Sequence, residues 1–363
     1  MWVYIVNLIS FPVYALFFNS CWIKDKRKAV VAVASTQMFL ILALRADNLG
    51  VDLGNYERAF YYISELSFPD LLSKLRFIKT AVLQPPHKLE SGYVVLNWFI
   101  AALGGRFHTL LVVSALVVSI PYARLVYYKS EIPWLSFFIY CAFTCFEFDF
   151  GILRQALAVA ISIEAYLCVH KKKNARAFFW VLLAFTFHRT ALVMLPILLI
   201  PKIKLKKTML YSIYAVLVLI VVIFGREILN YVILISNKYH LSLGIYQVYD
   251  FQVNNLFLVL TMVIAGSILL GKNKIKENKY KIDFYMVFIL YLLIILGMYQ
   301  ALFSRISKYY MVYLTILIPN ILHIYRKRNM HWIFGLLVSA LLLLFMVYSL
   351  RTSIIVPYRF FFS

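Results

Sequence analysis

Apolar runs of 17 to 22 residues recur along the whole of this sequence, each bounded by Lys, Arg or turn-forming residues. A run of about 20 apolar residues matches the hydrocarbon thickness of a bilayer. A backbone in lipid must satisfy its own N–H and C=O groups, so such runs fold as helices. The spacing predicts helices over 2–22, 29–45, 108–128, 132–148, 151–170, 177–190, 190–203, 208–224, 254–271, 283–300, 306–323 and 331–349, with a shorter apolar segment at 91–105. Composition agrees: 63% of the residues are hydrophobic and 14% charged, where soluble domains carry roughly a quarter charged. The expected fold is therefore all-α and integral to a membrane, a bundle of about 11–14 helices forming a single polytopic domain over 1–363. No internal repeat is visible, and the N-terminal apolar run precedes its basic cluster, the order of a membrane helix rather than a secretory leader.

The net charge of +22 would suggest nucleic acid in a soluble protein. Here topology accounts for most of it. The clusters KDKRK (24–28), KKKNAR (171–176), KIKLKK (202–207), KNKIKENKYK (272–281) and RKR (326–328) alternate with the helices as cytoplasmic loops should. Two long polar connections, 46–90 and 225–252, then face outside. Alternation is irregular between 46 and 108, which is reconciled if 91–105 is a re-entrant or short tilted helix; a weak crossing within 60–85 is the alternative. Amphipathic stretches in both connections suit a membrane surface. The four cysteines (Cys21, Cys141, Cys145, Cys168) lie in or beside apolar runs without metal or disulfide spacing.

Basic residues sort by type. The 22 on the cytoplasmic side are mostly Lys, whereas ten of the other 15 are Arg: 45, 58, 76, 106, 154, 189, 226, 305, 351 and 359. Positive-inside insertion explains the first group and not the second. Guanidinium groups suit bidentate recognition of phosphate and carboxylate, so an anionic ligand is expected on the outer face.

Three arginines stand at one depth. Arg154, in GILRQALAVA, sits one turn inside a helix; His188 and Arg189 occupy an outer turn in FHRTAL; Arg305 opens a helix in ALFSRISKYY. Each alone reads as an interfacial Arg reaching the headgroups, with Glu147 or Asp149 as possible partners for Arg154. Together they read as the basic floor of an outward cavity that would hold a diphosphate. Acidic residues stand nearby in LRADNLGVDLGNY (Arg45, Asp47, Asp52) and in HKLESGY (Glu90). Arg45 could simply pair with Asp47 or Asp52, and Glu90 could simply complement a helix N-terminus. The functional alternative is that Asp52 or Glu90 takes a proton from a hydroxyl while arginines stabilise a departing anion; spacing does not choose between the two. No D-x-D metal motif occurs among the external acids, so neither a metal nor another cofactor is expected.

The motifs R-x-D-x-x-G-x-D-x-x-x-Y (Arg45, Asp47, Gly50, Asp52, Tyr56), ESGY (Glu90 to Tyr93), LRQALA (Leu153 to Ala158), FHRTAL (Phe187 to Leu192) and R-x-x-x-Y (Arg305, Tyr309) follow one another over residues 45–310. In that order they resemble the EpsG-type family of bacterial surface-polysaccharide proteins, and the size of the chain is similar to that of Wzy-type O-antigen polymerases. The resemblance implies a fold like that of lipid-dependent (GT-C-like) membrane glycosyltransferases in the bacterial inner membrane, active on the periplasmic face. It implies undecaprenyl-diphosphate-linked oligosaccharides as donor and acceptor, membrane lipid around the chain, a chain-length regulator protein as a further possible partner, and no nucleic acid. On matching positions Arg154, His188, Arg189 and Arg305 would hold the leaving diphosphate. Asp52, then Glu90, would be the base, while Arg45, Asp47, Gln155, Tyr56, Tyr93 and Tyr309 would position substrate, the tyrosines along the sugar path. A ligase using the same donor, or a flippase for the lipid-linked unit, are the rival expectations; a flippase would favour repeated halves, which this chain lacks.

Overall fold

The fold is taken from a computed structural model of the chain, which describes residues 1–75, 81–82, 88–142, 144–202, 207–238, 281–297, 299–324, 339–340, 342–343, 347, 350, 353 and 355–362. Apart from one two-residue antiparallel pair (Ala81–Val82 with Lys88–Leu89), the regular elements among the described residues are helical. Among the described residues, Trp2–Ser20, Phe107–Lys129 and Leu153–His170 are long and apolar enough to cross a membrane, and shorter apolar helices accompany them. Such helices are consistent with a multi-pass membrane protein.

The described residues gather into two compact units, Met1–Leu195 with Ile318–Ser363, and Pro196–Leu317. The first contains α1 (Trp2–Ser20), α2 (Lys26–Ala43), α3 (Leu53–Ser64), α4 (Phe68–Lys74), α5 (Ser91–Ala102), α6 (Phe107–Lys129), α7 (Pro133–Ala142), α8 (Thr144–Gly151), α9 (Leu153–His170) and α10 (Asn174–Phe187). Helix α9 is its centre: it packs on α10 and α6, and nearly every residue of its alanine-rich LRQALAVAIS face is buried. Small side chains let neighbouring helices approach closely, the usual way membrane helices associate. Between α1 and α2, Gln37 Nε2 donates to Asn7 Oδ1 at 2.6 Å, and the Tyr14 hydroxyl donates to Gln37 Oε1.

Contacts assign the loops of this unit to two ends. At one, the Tyr127 hydroxyl donates to Asp25 Oδ2 at 3.3 Å, Lys171 lies over the Tyr128 ring, and Lys129 lies over Tyr166. Asn320 joins them there, accepting from Glu131 N at 2.7 Å and donating to Lys129 O at 2.9 Å. These are the basic-cluster loops. The other end gathers the ends of α2 and α10 and the starts of α3, α5, α6 and α9, the elements that carry the motifs around Asp52, Glu90, Arg154 and His188. Helix α5 begins there at Glu90 and leads into α6, whose His108 bonds Asp47. Twelve residues rise only about 18 Å, short of a ~30 Å hydrocarbon core. This helix therefore leaves the chain at the end where it began.

Several expected elements differ. The span expected over 132–148 is described as α7 and α8, residue 143 between them lying outside the described residues. The helix expected over 190–203 is instead 3₁₀ at Arg189–Leu198 and Ile200–Lys202, where Pro196 and Pro201 withhold backbone donors. In the second unit, α11 (Lys207–Lys238) does not stop at residue 224 but runs on through the first half of the connection expected at 225–252. Gly225 does not end it, since a lone glycine in an otherwise apolar helix costs only about 1 kcal/mol. Helix α12 (Lys281–Gly297) also belongs to the second unit, and α13 (Ala301–Ile324) begins in it and ends in the first unit, from Ile318 on. The helix expected over 254–271, most of that over 331–349, residues 239–252, the clusters 272–280 and 326–328, and Arg76 and Arg351 lie outside the described residues.

Candidate functional site

At the motif-bearing end of the first unit, the loop between α2 and α3 meets the junction of α8 and α9 through two glycines. A Cβ on Gly50, whose φ is +151°, would stand 2.3 Å from the Phe150 carbonyl oxygen; one on Gly151 would stand 2.5 Å from Val51 N. Only glycine permits this back-to-back approach. It places the motif carrying Asp47 and Asp52 directly beside the first turn of α9, where Arg154 stands.

Arg154 is the hub. Its Nη1 donates to Glu90 Oε2 at 2.5 Å, its Nε reaches the Tyr56 hydroxyl at 3.5 Å, and its guanidinium lies 5.7 Å from the Tyr56 ring centroid. Tyr56 in turn packs edge-on against Tyr93, their centroids 5.6 Å apart. Three elements thus converge: α3 through Tyr56, the start of α5 through Glu90 and Tyr93, and α9 through Arg154. The ion pair is unevenly covered, the Glu90 side chain being 10% exposed and that of Arg154 24%. Burial raises the Tyr56 phenol above its ordinary range, with the Arg154 cation opposing, so the phenol stays neutral at physiological pH.

Asp52 lies one turn before Tyr56. It holds a left-handed backbone (φ 66°) at the N-cap of α3, and its exposed side chain makes no capping bond. A non-glycine residue at positive φ is uncommon and is held there by its surroundings. The carboxylate is consequently left open to solvent beside the Arg154 cluster.

The pairing of Arg45 with Asp47, one of the alternatives the sequence left open, does not form. Asp47 Oδ1 bonds His108 Nδ1 at 2.6 Å, and the His108 ring stacks on Phe361 with centroids 4.2 Å apart. Arg45 is 1% exposed, donates to the Asp149 carbonyl at 3.4 Å and lies over the Phe150 ring. Its Nε and Nη2, like the Ser114 hydroxyl beside it, have no hydrogen-bond partner among the described residues. Burial lowers the Arg45 pKa to about 10, against the pull of Asp149. The two carboxylates weighed as partners for Arg154 are engaged elsewhere: Asp149 accepts from the Tyr140 hydroxyl at 2.7 Å, and Glu147 accepts from Ser353.

The last turn of α10 stands against α5, since a Cβ on Gly92 would meet Thr186 Oγ1 at 2.3 Å. Two residues on, His188 Nδ1 bonds the Thr190 hydroxyl at 2.6 Å, and Arg189 is exposed. Gln155 is wholly buried in α9. Tyr93 and Tyr309 are also buried and Tyr56 is 5% exposed, so their ring faces are covered by protein. Arg305, exposed, and Tyr309 belong to the second unit.

Sequence reasoning missed the C-terminal strap. Ala46 N donates to Arg359 O at 2.9 Å and Phe361 N to Leu44 O at 3.0 Å, around an antiparallel bridge between Arg45 and Phe360. The Tyr358 hydroxyl donates to Ile41 O, and the Tyr4 hydroxyl to Ile355 O. His108 was likewise passed over, although its place at the start of a predicted helix beside the outer loop was a usable signal.

Comparison with known protein families matches residues 28–360 of the chain to the EpsG family. No curated protein and no solved structure matches the chain.

Proposed function

The chain belongs to the EpsG family, a membership that implies a role in exopolysaccharide biosynthesis, and from that premise we propose that it is a polysaccharide polymerase. In this reading it is a glycosyltransferase of the bacterial inner membrane, built like the lipid-dependent membrane glycosyltransferases. It joins oligosaccharide units carried on undecaprenyl diphosphate, at the periplasmic end of the bundle, into O-antigen-type chains. The observation that carries the proposal is the convergence of Arg154, Glu90 and Tyr56 beside the open carboxylate of Asp52.

Each group has a distinct task. A hydroxyl of the acceptor unit gives its proton to Asp52, and its oxygen bonds to the anomeric carbon of the donor glycan. The bond from that carbon to the diphosphate oxygen breaks, with its electron pair leaving on the diphosphate. Arg154 stabilises the charge that develops there, and His188 and Arg189 add donors from the neighbouring turn. Glu90, already held by a guanidinium, is the weaker candidate for base, because the lone pair a base must offer is engaged. Arg305 stands as a proposal from its motif alone.

Deleting the gene in its native host tests this reading. Surface glycan is expected to fall from long ladders to single repeat units, restored by the wild-type chain. Unchanged ladders would remove the polymerase reading; complete absence of glycan from the outer face would indicate transport of the unit, and accumulated unattached polymer would indicate ligation.

A further inference from the structure

Glu90 is the N-cap residue of α5, yet its side chain makes no capping bond to that helix. It reaches instead to Arg154, at 2.5 Å. A guanidinium offers two forks to an anion, one end-on through its two Nη groups and one side-on through Nε and an Nη. Glu90 engages Nη1 and Tyr56 approaches Nε, so an anion that approaches either nitrogen meets a protein oxygen already there. A phosphate that is to take Nη1 must displace Glu90. Tyr56, neutral and at 3.5 Å, interferes little. The carboxylate is the true competitor.

We infer that Glu90 is the resident counter-anion of Arg154, holding the place of a phosphate oxygen until a diphosphate takes it. The inference rests on the diphosphate role proposed for Arg154. Arg154 is the more exposed partner, so an incoming anion meets the guanidinium before it meets the carboxylate. The resting pair avoids the cost of an unpaired cation in a half-buried place near the membrane. It also sets a threshold. A weakly charged anion gains too little to break the pair, whereas a diphosphate, with more charge and more acceptor oxygens, gains enough. Glu90 is thus a positioning and selectivity residue, distinct from the base.

The test uses the full-length chain in nanodiscs, titrated calorimetrically with pyrophosphate and, separately, with orthophosphate. Glu90→Gln keeps the shape of the side chain and removes the competing charge. It is expected to bind pyrophosphate about tenfold more tightly than wild type, a change typical of coupling between two ligands of one protein, and to discriminate less against orthophosphate. A purely structural Glu90 would give the opposite sign, because loosening Arg154 weakens binding. Unchanged or weaker pyrophosphate binding by a Glu90→Gln protein that melts as wild type would overturn the inference. If that variant does not fold, Glu90→Asp, which shortens the reach to Arg154, is expected to shift affinity in the same direction, and no shift would overturn the inference equally. Arg154→Ala separates the two levels. Retained pyrophosphate affinity there removes the diphosphate reading itself; lost affinity there, with no gain in Glu90→Gln, removes only the displacement.

Discussion

Arg154 and Glu90 stand 64 positions apart in the chain, and their side chains meet at 2.5 Å in the first unit. Neither LRQALA nor ESGY explains its charge alone. Arg154 is one residue into a helix whose other side chains are almost all buried, and Glu90 declines to cap its own helix. Each supplies the other's reason for being there.

Loss of the guanidinium is therefore expected to cost the reaction more than the fold. Arg154→Ala should lower chain extension by about 10²- to 10³-fold, the usual effect of removing one preorganised donor from developing charge. Arg154→Lys should restore little, since an ammonium cannot present a fork. Gel ladders of surface glycan from the two variants, normalised to membrane protein level, check this.

Asp52 is exposed and caps nothing, so Asp52→Asn should change thermal stability in detergent by no more than about 0.5 kcal/mol. Chain extension should nevertheless be abolished while lipid-linked donor still binds. Binding lost along with turnover would make Asp52 a positioning group rather than the base.

Close approach of two backbones makes Gly50 and Gly151 sensitive. Gly50→Ala and Gly151→Ala each force backbone atoms apart, an overpacking that costs about 1–3 kcal/mol. Gly54→Ala, with nothing within 4 Å of its added carbon, is the control and should melt at or slightly above wild type, alanine being the better helix former. Equal melting of all three would contradict the described packing of the motif on α9.

Sidedness is best read at positions that tolerate cysteine, which excludes Gly50. Gly54→Cys and Arg189→Cys, both exposed, should react with a membrane-impermeant thiol reagent in spheroplasts. Reaction only after the membrane is opened would invert the proposed orientation.

The aromatic contact at the strap gives a last stability prediction. Phe361→Ala removes the ring stacked on His108. Because Phe361 is 48% exposed, the loss should be about 1–2 kcal/mol, below the 3–5 of a fully buried ring. A matching destabilisation in His108→Ala, not additive with the first, would show that the two act together.

How far the sequence could be read follows from what each feature depends on. Hydropathy placed α1, α2, α6, α9 and α10 to within a few residues, because a helix in lipid is fixed by its own composition. The same signal failed at α11, where apolar residues continue past Arg226 and Glu227 and nothing local marks a stop, and at 190–203, where two prolines tighten the turn. For the site, residue types and motifs were legible, but partners were not. Arg45 lies two positions from Asp47, yet it is buried against Asp149 and Phe150, while Asp47 turns to His108. Such pairings are set by which helices pack, a property of the whole bundle. The strap was invisible for a similar reason: the stretch around Arg359 pairs by backbone with residues 44–46, and backbone pairing leaves no mark on side-chain chemistry.

The central claim is tested most directly by reconstituting the purified chain in nanodiscs with an undecaprenyl-diphosphate-linked repeat unit and resolving the products by size. The account predicts a ladder of longer glycans still attached to the carrier, with undecaprenyl diphosphate released in step, and both products lowered about 10²- to 10³-fold in Arg154→Ala. Unextended substrate after incubation with a folded wild-type chain, under conditions where the donor is shown to bind, would contradict it.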